Sequence, residues 1–300
     1  MRKLSILLLV LVMMSSLFIG CAKDDTKTEE TTAAPTTEAA TDATTAEVTD
    51  GAYADGIYFA TDDAFDVESG WKSVITVEVK DGKIATVDWN GASINAGKDK
   101  KTVSKDGEYN MVAYGKAQSE WHEQAALTEA YLIEQQNFDA LNLTADGKTD
   151  SISGVSISVN DFQALVEKAL AAGPVGSGKY VDGAYFAEEA AFGDSGWKEN
   201  VNFTVINGFI VSANWNGVSN ASDKDKKTAS IDGDYGMVAI GKASAEWHEQ
   251  AQLVEGFITD AQELDAITLT DADGHTDAVS GVTMKVASFV ELAKQALKLR

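Results

Sequence analysis

Two short stretches of this chain carry the same reactive pattern. Asp150-Ser151-Ile152-Ser153-Gly154-Val155-Ser156 and Asp277-Ala278-Val279-Ser280-Gly281-Val282-Thr283 both read D-x-x-S-G-V-[S/T]. A hydroxyl such as that of Ser156 or Thr283 can form a phosphoester, provided that a neighbour as small as Gly154 or Gly281 lets a bulky donor and its enzyme approach. The same letters also fit a turn whose serine caps a helix. A second repeated stretch, Gly115 to Ala125, reads G-K-A-Q-S-E-W-H-E-Q-A and returns almost unchanged at Gly241 to Ala251. Its His122-Glu123 and His248-Glu249 invite comparison with H-E-x-x-H zinc helices, but the second histidine position holds Ala126 in one copy and Gln252 in the other. A zinc site there lacks its second ligand, so no metal is expected.

Both motifs belong to a long duplication, from Asp55 to Leu170 and from Asp182 to Leu297, in which Trp71, Trp89 and Trp121 map onto Trp197, Trp215 and Trp247. Each copy has the size of a domain rather than of a solenoid repeat. Ile75, Val77 and Val79 alternate, Asp81-Gly82 follows, and Ala85, Val87 and Trp89 alternate again; the second copy has Asn207-Gly208 at the corresponding place. Such pairs favour a tight hairpin turn, in which both central residues take positive φ. Trp121, Ala125, Thr128 and Leu132 then share one helical face, as do Trp247, Ala251, Val254 and Ile258. A last helix is expected to turn Phe162, Leu165, Val166, Ala169 and Leu170 inward, matched by Phe289, Leu292, Ala293, Ala296 and Leu297. The fold class is therefore α+β, with two tandem homologous domains, each an antiparallel sheet with packed helices.

Arg2 and Lys3 precede an apolar run that ends in Leu17-Phe18-Ile19-Gly20-Cys21. Residues 1–21 thus look like a bacterial lipoprotein signal peptide with lipidation at Cys21. The run is short for a membrane span, and acidic, Thr-rich sequence follows it. Cys21 is the only cysteine, which leaves the mature chain without a disulfide or a thiolate ligand. Residues 22–50 are rich in Thr, Ala, Glu and Asp and are expected to be a disordered tether. Domain 1 is then placed at 51–172, a linker containing Pro174 at 173–180, and domain 2 at 181–300. A net charge of -23 argues against nucleic acid as a partner and suits a solvated extracytoplasmic surface. Lys98-Asp99-Lys100-Lys101 and Lys224-Asp225-Lys226-Lys227 are local basic spots, expected as solvated loops, with phosphate contact or docking as the alternative. No dinucleotide fingerprint, P-loop or G-x-S-x-G turn occurs, so a self-contained dehydrogenase or hydrolase has little support.

With D-x-x-S-G-V-[S/T] in both copies, Asp55-Gly56-x-Tyr58 and Asp182-Gly183-x-Tyr185 at their starts, and Ser69-Gly70-Trp71 after the first, the chain resembles the FMN-binding domain family. In that family a flavin transferase attaches FMN through its phosphate to a Thr or Ser in D-x-x-[ST]-G-A-[ST]. The arrangement is similar to two-domain FMN-carrying surface lipoproteins of Gram-positive bacteria and covers nearly the whole chain after the tether. The resemblance implies two covalent FMN groups, at Thr283 and Ser156, with Val155 and Val282 standing where the family usually has Ala and with Ser156 in place of the commoner Thr. It implies a lipid-anchored electron carrier outside the cell membrane, serving a quinol-linked membrane donor and extracellular acceptors such as ferric iron. Trp89, Tyr109, Met111, Trp121 and His122, with Trp215, Tyr235, Met237, Trp247 and His248, are then candidates for the flavin environment, the histidines by hydrogen-bonding flavin or phosphate. The aromatic residues equally suit a core, and the histidines a polar helix face. The alternative function is a surface lipoprotein that binds an extracellular ligand or cell-wall component without redox chemistry.

Overall fold

The computed structural model describes residues 53–300; the signal peptide, Cys21, the tether and the first residues of domain 1 lie outside them. The described chain is α+β and holds two similar units, each a three-stranded antiparallel sheet with helices packed on it. Unit 1 contains β1 (Gly56–Thr61), β2 (Trp71–Lys80), β3 (Lys83–Ser93), α1 (Lys100–Lys105), α2 (Trp121–Gln135) and α3 (Asn160–Ala172). Unit 2 repeats the order with β4 (Gly183–Glu188), β5 (Trp197–Ile206), β6 (Phe209–Ser219), α4 (Lys226–Ile231), α5 (Trp247–Ala261) and α6 (Ala287–Ala296).

The hairpins form where the turn pairs predicted them. Asp81 and Gly82 have φ of 51° and 72°, and Asn207 and Gly208 have 49° and 77°, the twist that lets two antiparallel strands continue from a two-residue loop. The strands pair as Ile75 with Trp89 and Val77 with Val87. One expectation needs correction: Ala85 was read as part of the alternation with Val87 and Trp89, but the register shifts at Glu78/Val79, with Val79 facing Ile84 and Glu78 facing Thr86, so that Ala85 is the extra residue. The bulge reverses the strand's parity, and Ile84 enters the core where Ala85 was expected.

In the sheet order, β3 and β6 are left with an open edge. Side chains of α2 and α5 and of their C-cap residues cover it. Glu129 accepts the Trp89 backbone N–H at 2.6 Å, and the Gln136 amide both accepts from Ile84 N at 2.9 Å and donates to Ile84 O at 2.8 Å. Glu255 and Gln262 treat Trp215 and Ile210 in the same way. An edge paired in this manner is closed to another strand. The predicted apolar faces of α2, α3, α5 and α6 are buried, with Leu297 one residue beyond the end of α6. Two separate cores result, each built around tryptophans and a helix phenylalanine.

The segment 173–180 is no loose linker. Val175 and Gly176 donate to Ile57 O, Gly178 donates to Asn207 O, Tyr180 donates to Gly208 O, and the Tyr180 ring belongs to the core of unit 2. The units also touch directly. Val74 and Ala92 of unit 1 cluster with Ile206 and Val211 of unit 2, and Phe59 stacks on Phe209 with centroids 4.7 Å apart. Ser212 Oγ donates to Ser93 O at 2.6 Å across this contact.

Candidate functional site

The D-x-x-S-G-V-[S/T] stretches form two turns of the same construction. Gly154 and Gly281 sit at φ of 87° and 84°, and the N–H of the following valine closes the turn onto Ile152 O or Val279 O at 3.3 Å. A side chain at either glycine would be strained, and its Cβ would stand 3.3 Å from Leu127 Cδ1 in unit 1 or 3.1 Å from Leu253 Cδ1 in unit 2. Val282 is buried and Val155 packs against the other core. The extra bulk that distinguishes them from alanine therefore points inward, away from the hydroxyls. Ser153, Ser156, Ser280 and Thr283 are exposed, as are Asp150 and Asp277. The helix-capping alternative does not hold: α3 and α6 start after Val159 and Val286, and neither start has a side-chain cap.

Each turn is held by a residue that the sequence reading passed over. Gln124, on α2, is 1% exposed, and its Oε1 accepts from Ser156 N at 2.7 Å, Ile157 N at 3.2 Å and Ser156 Oγ at 3.3 Å. Its Nε2 donates to Ser119 O at 3.1 Å, which fixes the amide's orientation. Gln250 does the same with Thr283 N at 2.7 Å, Met284 N at 3.1 Å, Thr283 Oγ1 at 3.3 Å and Ala245 O at 3.0 Å. Both glutamines lie in the conspicuous E-W-H-E-Q-A segment, so that helix is the support of the turn. The signal was a glutamine beside the tryptophan and alanine of the inward helix face, repeated in both copies.

The helix is itself pinned at its start. Glu120 and Glu123 form a capping box, as do Glu246 and Glu249. Glu120 also accepts from Met111 N and Val112 N at 3.0 Å, and Glu246 accepts from Met237 N and Val238 N. These bonds leave Val112, Tyr114 and Leu127 exposed in unit 1 and Val238, Ile240 and Leu253 exposed in unit 2.

Of the other candidate residues, the tryptophans take the core alternative that the sequence left open. Trp89, Trp121, Trp215 and Trp247 are at most 4% exposed and pack edge to face, at 5.2 Å and 5.3 Å, inside the cores. They have no free face for a flavin. Tyr109, Met111, Tyr235 and Met237 are partly buried against the same cores. His122 Nδ1 lies 2.9 Å from Ser104 Oγ, which also accepts from His122 N; His248 and Ser230 repeat the pair. These bonds tie α2 to α1 and α5 to α4 through Nδ1.

The basic spots also need correction. Only Lys98 and Lys224 project as expected, each onto two carboxylates. Asp99 and Asp225 cap α1 and α4, turning the next two lysines inward. Lys101 bonds Asp88 and Glu129, while Lys227 bonds Asn214 and Glu255. Burial pushes the Glu129 and Glu255 carboxyls up, against the pull of those lysines. Lys100 and Lys226 sit over Trp121 and Trp247, each at 4.6 Å from the ring centroid. An open cleft lined by Glu188, Glu189, Ser288 and Glu291 lies in unit 2; its carboxylates suit no phosphate. Among the described residues, no group of His, Cys, Asp and Glu could hold a metal ion, and no helix is long and apolar enough to cross a membrane.

Fold and site together define a class: a tandem α+β protein with two equally braced turns, in each of which a buried glutamine fixes the backbone of one exposed hydroxyl residue, Ser156 or Thr283. No protein-family model matches the chain, and no curated protein matches it. It is similar to a protein of Clostridium thermocellum solved by solution NMR, with 49% identity over 38% of this chain and 88% of that one and a TM-score of 0.32. It is also similar to a Clostridium perfringens protein of known crystal structure, with 25% identity over 39% of this chain and 84% of that one and a TM-score of 0.30.

Proposed function

We propose that this protein is a membrane-anchored, extracytoplasmic electron carrier whose two units each bear FMN, joined through its phosphate to Thr283 and Ser156. The observation that carries the reading is the pair of braced turns, each of which offers one exposed hydroxyl on backbone fixed by a buried glutamine. A transferase substrate needs this combination, because the acceptor must be accessible while its position is already set. The residues fit the group. Gly154 and Gly281 keep the approach open, and Leu127 and Leu253 supply exposed apolar surface beside the turns. FMN, when attached, supplies electron transfer in pairs or singly; the protein supplies position and environment. Attachment by the phosphate leaves the ring free to react and keeps its local concentration high where a dissociable cofactor would be diluted. The lipid anchor at Cys21, the quinol-linked donor and acceptors such as ferric iron belong to the same proposal.

Intact-protein mass spectrometry after coexpression with a flavin transferase tests it. Two FMN adducts are expected on the full chain and one on either Thr283→Ala or Ser156→Ala. An unmodified full chain, lacking the yellow absorbance that bleaches on reduction, would refute the assignment and favour the non-redox binding protein.

A further inference from the structure

A half-buried strand position differs between the two units, and the difference exposes a function for Lys100. In unit 2 the Glu199 carboxylate is fully engaged: Oε1 bonds Lys226 Nζ at 2.5 Å, while Oε2 accepts from Trp215 Nε1 at 3.1 Å and from Ser288 Oγ. Lys226 is 5% exposed, and its ammonium also lies over Trp247 and Tyr235. Unit 1 keeps two of these three donors, the lysine and the tryptophan, and loses the acceptor. Lys100 stands for Lys226 and Trp89 for Trp215, but Ser73 occupies the place of Glu199 on the strand.

The consequences are visible in unit 1. Trp89 is 3% exposed and its indole N–H has no hydrogen-bond partner among the described residues, which is costly for a buried donor. Lys100 makes no ion pair among the described residues; its ammonium lies among Trp121, Tyr109 and Trp71 at 4.6, 5.1 and 5.7 Å. Burial pushes it down to about 8, against the pull of Asp161, Asp62 and Asp66. Serine is shorter than glutamate by one carboxyl group, which is the group that both donors lack.

We propose that unit 1 binds a small free carboxylate, of the size of formate or acetate, between the Lys100 ammonium and the Trp89 indole N–H. One oxygen takes the ammonium and the other the indole, as the two oxygens of Glu199 do in unit 2. Asp161 stands where Ser288 donates in unit 2, so its negative charge, with those of Asp62 and Asp66, competes with the ligand and weakens its binding. Lys100 is partly exposed and Asp161 exposed, so solvent reaches the site from their side. The proposal is independent of the flavin reading, since no residue of either hydroxyl turn takes part.

Indole N–H resonances of the full chain, labelled at tryptophan nitrogen, test it. Formate and acetate are titrated at neutral pH against chloride of equal ionic strength. The Trp89 signal is expected to shift saturably while that of Trp215 stays still. Ser73→Glu, which restores the second unit's own carboxylate, should weaken the titration at least ~10-fold. Asp161→Ser should tighten it. A Trp89 signal that responds no more to formate than to chloride overturns the proposal, as does an unchanged titration in Ser73→Glu.

Discussion

A glutamine side chain presents one acceptor and two donors, and a buried glutamine must use them. Gln250 spends its oxygen on the backbone of the Thr283 turn and a donor on Ala245 O. Gln250→Leu keeps the bulk but leaves the N–H groups of Thr283 and Met284 without an acceptor. Each such loss costs roughly 1–3 kcal/mol, so a lower urea midpoint is expected. The specific consequence is local: FMN on Thr283 should fall while FMN on Ser156, in the same molecule, stays at its full level. Equal loading of both sites in that variant would reduce Gln250 to a packing residue. The residue was legible as part of a repeated segment, but its partners lie more than thirty positions away. The Lys100 cage was hidden for a similar reason. K-D-K-K reads as solvated until Trp71, Tyr109 and Trp121 are brought together by the fold.

The elements were read with more success than the residues, because each has a local cause. Hairpins came from Asp-Gly and Asn-Gly, and the helices from apolar spacing. The bulge escaped, since an extra residue in one strand leaves no period to detect. The tryptophans were offered as cofactor walls because aromatic residues suit both roles, and only packing decides between them. The turn between β5 and β6 has a second duty that the sequence does not announce. A Cβ at Gly208 would stand 2.3 Å from Gly178 O, and the residue also holds a φ of 77°. Gly208→Ala is therefore expected to cost more than ~2 kcal/mol, through left-handed strain and displacement of the segment between the units. Thermal and urea unfolding would show it; an unchanged midpoint would mean that this segment adapts freely.

At the scale of the whole molecule, the two units meet through different faces. Unit 1 contributes Phe59, Val74 and Ala92 from across its sheet, and unit 2 contributes Ile206, Phe209 and Val211 from its β5–β6 hairpin. Neither unit repeats the other's half. The second sheet leaves Phe186 and Val218 exposed where Phe59 and Ala92 are covered, and the first hairpin carries Lys80 and Lys83 where the second has Ile206 and Phe209. Such a contact does not close on itself, so an apolar hairpin on unit 1 would dock on the open sheet of another molecule. Lys80→Ile combined with Lys83→Phe is expected to cause concentration-dependent association in sedimentation experiments. A strictly monomeric double variant would show that the exposed sheet of unit 2 accepts no such hairpin. Two lysines at a turn thus act as a chain terminator: they let gene duplication add one module in a fixed direction without turning the product into a filament.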